Sequence, residues 1–407
     1  MSGVVIIGAG HAGGSAAAFL RQYGYEGPIT LIGAEQSLPY QRPPLSKAWL
    51  KGEAGEDDLQ LRPQAFYDSN NITVHLSTSV EAINTDAQEI ILPTGRLGYD
   101  HLIIATGSKA RPFTLPYADE TPYFTLRTIE DAERLKPRLI ANEPIGIIGA
   151  GYVGLEVAAV ARKLGCIVSV FERENRILSR VASPTLSAFY TRIHKDNGVL
   201  LYTDAQIKSI QPRSDDVTVA MQSGDSFPFH ALLVGIGALP ADDLAQAAGI
   251  TCANGIVVDA EARTSVANVF AIGDVTSREI KPWYEGRYRL ESVPNALEQA
   301  KQAAAAITGF KAPTPEVPWF WSDQYEYKLQ IAGISRADAQ LITRGDPDSG
   351  AFSVFHLNDN QQLICVEAVN RPADFMAGKQ LIAKQVPLDA AIIRDADASL
   401  KPLLARY

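Results

Sequence analysis

The chain has 407 residues, 46% hydrophobic and 20% charged, which excludes a disordered or collagen-like polymer and predicts two or three globular domains. Its 37 Lys and Arg against 46 Asp and Glu give a formal charge of −9. That surface argues against non-specific nucleic-acid binding, which draws on neutralised phosphates, and leaves open a local basic patch for one acidic partner.

Met1–Gly10 runs directly into an apolar strand, with no basic leader and no cleavage site. No apolar run approaches the ~18 residues of a membrane span. The scattered Cys166, Cys252 and Cys365 have neither C-x-x-C nor zinc spacing, so the expectation is a reduced, cytoplasmic protein without a metal. Val4–Ile7 is short and β-branched enough for a buried parallel strand. Gly8-Ala9-Gly10-His11-Ala12-Gly13 follows, then an Ala-rich helix to about Gln22 and a strand Ile29–Ile32 ending near the acid Glu35.

The same grammar returns later. Ile145–Ile148 precedes Gly149-Ala150-Gly151-Tyr152-Val153-Gly154, a helix runs to about Leu164, and Ile167–Phe171 leads into Glu172. In such a unit the first Gly makes a tight turn, the second lets a pyrophosphate approach, and the third lets helix and strand pack. The helix start offers unpaired N–H groups and positive potential, and the distal acid accepts from the adenosine ribose. Two copies predict two dinucleotide sites: Gly8, Gly10, His11, Ala12, Gly13 and Glu35 on one, and Gly149, Gly151, Tyr152, Val153, Gly154 and Glu172 on the other. Glu172 repels a 2′-phosphate and so favours NADH over NADPH. Arg173 and Arg176 nearby are expected to be solvated, although either is placed to meet that phosphate.

Two further strands end in small-residue turns: Tyr99–Gly107, closing on Ala105, Thr106 and Gly107, and Asn268–Asp274, closing on Gly273-Asp274. With the two fingerprints, they make the whole chain resemble the two-dinucleotide-binding-domain flavoprotein reductases. The resemblance implies an α/β, glutathione-reductase-like fold with two Rossmann-like domains and a C-terminal α+β domain. The FAD domain would be split over 1–108 and 243–318. Residues 109–242 would form the NAD domain and 319–407 the C-terminal domain. That last block reads as strands at Leu329–Ala332, Phe352–Leu357 and Gln362–Val369, a turn over Gly345–Gly350, and helices Ala373–Ile382 and Leu388–Asp395.

Where disulfide reductases of this fold carry a redox cysteine, this chain has Leu38-Pro39-Tyr40-Gln41-Arg42-Pro43-Pro44-Leu45-Ser46-Lys47. That string, with Leu126-Arg127-Thr128, Glu291–Ala296 and Pro318-Trp319-Phe320-Trp321-Ser322-Asp323-Gln324, is similar to the oxygenase-coupled NADH:ferredoxin reductases of the putidaredoxin reductase and biphenyl dioxygenase type. Carried over, the resemblance gives Ala12, Glu35, Lys47, Val80, Ala105, Thr106, Gly107, Arg127, Asp274, Val293 and Trp321 to FAD. Asp274 would meet the flavin ribitol, or simply cap its turn. Arg42 reads as a bidentate pyrophosphate fork or as a solvated arginine before a rigid Pro-Pro turn.

Lys47 and Glu156 would form an ion pair beside the flavin and act as the catalytic pair; the alternative is a structural salt bridge. Tyr152 would cover the flavin or merely start a helix, and His11 is expected to do backbone duty only. Trp319 and Trp321 line an electron exit or pack between domains. Lys301, Lys311 and Lys328 are candidates for a positive rim. The expected reaction takes a hydride from NADH to FAD and single electrons onward to a [2Fe-2S] ferredoxin that feeds a monooxygenase or ring-hydroxylating dioxygenase. The expected assembly is a monomer or weak dimer. Two alternatives stay open: another acceptor, such as rubredoxin or ascorbyl radical, or an NADH-sensing interaction flavoprotein.

Overall fold

In the computed structural model, which describes residues 3–214 and 216–405, the apolar run Val4–Ile7 forms the middle strand of a parallel sheet. Its neighbours place Val269–Ala271, His101–Ile104, Val4–Ile7, Ile29–Ile32 and Ile72–His75 in that order. Alternate residues serve opposite faces. Val4 and Ile6 pack with the helices His11–Gln22 and Val293–Thr308, while Val5 and Ile7 pack with Ile83 and Ile90 of an antiparallel three-stranded layer. Ala16 and Ala17 share that helical core with Ala300, Ala303 and Ala304. Side chains this small let two helices lie close, which is why both segments are alanine-rich.

Chain contacts divide the molecule into two compact units. The first holds the segment ending at Arg42, Gly55–Lys109 and Leu239–Pro318; the second holds Pro43–Ala54, Ala110–Ala238 and the segment that starts at Trp319. In the second unit a parallel sheet runs Leu200–Tyr202, Ile167–Phe171, Pro144–Ile148, Ala231–Val234. An antiparallel trio, Ile207–Arg213, Asp216–Met221 and Ser226–Phe229, lies beside it in sequence and shares its core through Phe171, Val219 and Phe229.

The C-terminal part of the second unit is a five-stranded antiparallel sheet ordered Trp319–Gln324, Tyr327–Gly333, Leu363–Val369, Ala351–Leu357, Gln340–Asp346. The sequence reading placed no strand at 340–346 and a turn over Gly345–Gly350. Here Gly345 and Asp346 close the strand, and only Pro347–Ser349 and Gly350 turn. The strand was missed because a core-facing position holds Arg344, which is 3% exposed and reads as a surface residue.

Arg344 is instead the clamp of the C-terminal tail. Its guanidinium meets Asp374 and the carbonyls of Ile393, Asp395, Ala396 and Ala398. Asp374 in turn accepts from Ser353 and Arg371.

Candidate functional site: two glycine cradles and a buried carboxylate

The three glycines of each fingerprint do different work. Gly8 has φ +111°, and a Cβ on it would lie 2.2 Å from the carbonyl of Ala105; a Cβ on Gly13 would lie 1.9 Å from the carbonyl of Gly8. The second unit repeats this, with Gly149 (φ +101°) 2.4 Å from Gly235 O and Gly154 2.3 Å from Gly149 O. Those four positions are closed by backbone. The middle glycines face open space: the nearest atom to a Cβ on Gly10 is Arg42 Nη2 at 3.9 Å, and nothing lies within 4 Å for Gly151.

Around Gly10 the first unit gathers charge. Glu35 accepts from Tyr40 Oη at 2.6 Å and from Arg42 Nη2 at 2.6 Å, and Arg42 Nη1 donates to Tyr40 at 2.8 Å. Burial works against the Arg42 cation, but Tyr40 and Glu35 outweigh it and hold its pKa above the ordinary value. Arg42 is therefore neither solvated nor idle: it is oriented by Glu35 at the lip of the cradle. His11 starts the helix; burial lowers its pKa against the pull of Asp274, and its buried Nδ1 has no hydrogen-bond partner among the described residues.

Asp274 accepts from Ser108 Oγ at 3.3 Å. Its neighbour Gly273 (φ +80°) stands where a Cβ would come 3.0 Å from Ala12, so this turn needs glycine to sit against the helix start. Thr106 Oγ1 donates to the Ala241 carbonyl at 2.7 Å, and Gly107 has φ +70°. Val80 packs on the face carrying Val5 and Ile7, and Val293 opens the helix capped by Ser292. Lys47, Arg127 and Trp321 belong to the second unit.

In the second unit Glu172 does more than wait for a ribose. Its two oxygens accept from Ala150 N at 2.8 Å and Glu174 N at 3.0 Å, pinning the glycine turn itself. A carboxylate has further lone pairs for a hydroxyl. Arg173 is exposed and pairs with Glu174. Arg176 departs from the solvated reading, since it donates to the carbonyls of Ala182 and Ser179. Val153 is exposed at the helix start, while Tyr152 stacks edge-on to Phe320 at 5.0 Å and donates to Val181 O. Trp319 packs on Trp321 and Phe375, with Lys379 over its ring.

A buried polar cluster also lies here. Glu156, on the helix Tyr152–Lys163, is 5% exposed. It accepts from Lys47 Nζ at 2.6 Å, Ser46 Oγ at 2.5 Å and Ser322 Oγ at 2.6 Å. Lys47 also meets Pro43 O at 3.2 Å and Ser46 Oγ at 3.3 Å, which commits all three ammonium hydrogens. What remains free to act at a distance is its charge. Ser46 and Ser322 were not singled out from sequence, although both lie inside the quoted Leu38–Lys47 and Pro318–Gln324 strings.

The glycine geometry makes a direct prediction. Gly151→Ala is expected to keep its unfolding temperature within a few degrees, because φ there is an ordinary −80° and the space is open. Its dinucleotide affinity should fall tenfold or more by titration calorimetry. Gly154→Ala should instead lose stability by about 1–3 kcal/mol, through overpacking on backbone.

Comparison with known proteins gives a consistent result. Residues 2–300 match the family model described as pyridine nucleotide-disulphide oxidoreductase, and residues 319–404 match the model described as reductase C-terminal. Rhodocoxin reductase of Rhodococcus erythropolis is 41% identical, covering 99% of this chain and 95% of its own. Putidaredoxin reductase of Pseudomonas putida is 40% identical, covering 99% and 96%. The crystal structure of the covalent putidaredoxin reductase–putidaredoxin complex matches with a TM-score of 0.96 and 39% identity, over 100% of this chain and 98% of the other.

Proposed function

Because the chain belongs to the pyridine nucleotide-disulphide oxidoreductase family, we propose that it is an FAD-dependent NADH:ferredoxin reductase, passing electrons to a [2Fe-2S] ferredoxin of an oxygenase system. The cysteines carry this reading within the family. Burial pushes the Cys166 thiol up, pushes Cys252 to about 11 with help from Asp242, and pushes Cys365 well above its ordinary value with help from Glu367. The thiolate is the reactive form, so none of the three is poised for thiol–disulfide chemistry. Electrons must leave another way, as the names of the full-length relatives suggest. The three cysteines are free, which supports a reducing compartment, and we place the protein in the cytoplasm; among the described residues no helix is long and apolar enough to cross a membrane.

The residues present fit two dinucleotides, because each cradle leaves open the space that its middle glycine vacates. Gly8–Gly13, Glu35, Arg42 and Asp274 would hold FAD; Gly149–Gly154, Val153 and Glu172 would hold NADH. FAD, when bound, accepts a hydride and returns electrons one at a time. The chain's own part is to bind, orient and screen. Helix N-termini at His11 and Tyr152 offer N–H groups to pyrophosphate. Arg42, aligned by Glu35, adds a planar cation. Lys47, held by Glu156, contributes the positive charge that favours an anionic reduced cofactor.

Glu172→Gln should narrow the NADH over NADPH ratio of kcat/KM by about tenfold, a change of about 1.4 kcal/mol. An amide keeps one acceptor for Ala150 N–H and drops the charge that repels a 2′-phosphate. Glu172→Ala should narrow the ratio and also raise KM for both, since the turn loses its tether. An unchanged ratio in both variants would show that the acid does not set the preference.

The function itself is tested by NADH-driven cytochrome c reduction with and without a panel of [2Fe-2S] ferredoxins. Stimulation by one ferredoxin, weakening as salt rises, supports the reading. Fast flavin reduction with no stimulation by any of them would assign another acceptor.

A further inference from the structure

Glu156 Oε1 is the end of a longer row of side chains that the binding and charge roles above leave unused. Ser322 Oγ lies 2.6 Å from it, Gln324 Nε2 lies 3.3 Å from Ser322 Oγ, and Gln324 Oε1 lies 2.9 Å from His194 Nε2. The Tyr325 hydroxyl closes the row 3.3 Å from His194 Nδ1. Ser322, Gln324 and His194 are each 0% exposed. Ser322 and Gln324 are two apart on one strand and so share a face, and His194 comes from the last turn of the helix Pro184–Asp196.

The direction of every hydrogen bond in this row follows from the charge at its end. An ionised carboxylate only accepts, so Ser322 gives its single hydrogen to Glu156 and can only accept from Gln324. The amide must then turn its nitrogen to Ser322 and its oxygen to His194. An oxygen of that kind cannot donate, so His194 carries a hydrogen on Nε2. Burial lowers His194 to about 4, so the ring holds one hydrogen at neutral pH. Nδ1 is therefore an acceptor and takes the hydrogen of Tyr325.

Tyr325 is the first residue of the two-residue hairpin turn that joins Trp319–Gln324 to Tyr327–Gly333, and its φ of +56° is the left-handed conformation that turn requires. In that conformation its ring stands edge-on to His194 at 5.2 Å.

We propose that Tyr325, His194, Gln324 and Ser322 are positioning residues: a row of hydrogen bonds, each donated towards Glu156, that orients this carboxylate and keeps its partner Lys47 in place for flavin reduction. Aligned links polarise one another, so the row presents more positive potential to the carboxylate than the serine would alone. Its catalytic consequence rests on the role given above to Lys47 and Glu156; its polarity does not.

The test has two arms on the purified full-length holoprotein. In the first, ring nitrogens are read by NMR after labelling histidine with ¹⁵N, His194 being assigned by its loss in His194→Asn. The expected state is the Nε2–H tautomer, with the Nδ1 resonance moving in Tyr325→Phe and the tautomer preference weakening in Glu156→Gln. A hydrogen found on Nδ1 in the wild-type protein would overturn the row's polarity. In the second arm, stopped-flow absorbance follows reduction of the bound flavin by NADH. Gln324→Met, close to glutamine in volume, should slow reduction about tenfold with no change in NADH affinity. In a Glu156→Gln background it should slow it no further, since a group acting through Glu156 has nothing left to act on.

Full multiplication of the two effects would overturn the positioning role and leave Gln324 as packing. Should Gln324→Met fail to fold, Tyr325→Phe carries the same cycle with an expected slowing of two- to threefold. A wrong assignment of the acceptor would show separately, as absent ferredoxin turnover with both arms otherwise as expected.

Discussion

Arg344→Met should lower the unfolding free energy by about 3–5 kcal/mol, the range for removing one partner from a buried ion pair. The cost has two sources. Asp374 would keep Arg371 and Ser353 but lose the guanidinium at 3.2 Å. The carbonyls of Ile393, Asp395, Ala396 and Ala398 would lose their shared donor, and methionine offers them nothing. Urea unfolding followed by tryptophan fluorescence would read the change, since Trp319 and Trp321 lie on the same sheet. Arg344→Lys should recover only part of the loss, because an ammonium cannot fork to five acceptors at once. A loss below 1 kcal/mol would mean that the tail is held by its apolar contacts, such as Ile393 and Leu400, and not by this clamp.

Lys47→Ala is expected to slow reduction of the bound flavin by NADH about 100-fold, the size seen when one preorganised electrostatic partner is removed. FAD content, read from the ratio of visible to ultraviolet absorbance, should stay at wild-type level. Glu156 would still accept from Ser46 and Ser322 but would lose its cation at a buried position, so the variant should also lose stability, and the rate is read on the folded, FAD-loaded protein. A wild-type reduction rate in the variant would leave the pair a structural salt bridge and nothing more.

The parts of the molecule visible in its sequence are those set by short-range chemistry. Val4–Ile7 and Ile29–Ile32 stand where their β-branched runs put them, and the two glycine turns carry their spacing as a steric requirement of backbone approach. Partners supplied by distant segments were not visible. Glu156 stood out by its place two residues after Gly154, but two of its donors are serines 110 and 166 residues away, and serine spacing carries no periodic signal. Arg42 read as a phosphate ligand because a planar guanidinium can bind phosphate oxygens bidentately; its alignment by Glu35 and Tyr40 needed coordinates. Arg344 is a charge turned inward, and hydrophobic alternation does not register a strand with such a residue on its core face.

His194 carries one more consequence, for the acid limit of the protein. Its ordinary pKa is near 6.5, and burial lowers it to about 4 in the folded chain. Below pH 6.5 the unfolded chain takes up a proton that the folded chain refuses, so stability falls as pH drops from 6.5 to 4 and levels off beneath that. A shift of this size is linked to about 3 kcal/mol. Burial thus keeps this imidazole neutral, against the pull of Gln324 Oε1 towards the charged form, at a standing cost in acid, and His194→Gln should flatten the pH dependence of urea unfolding across that window.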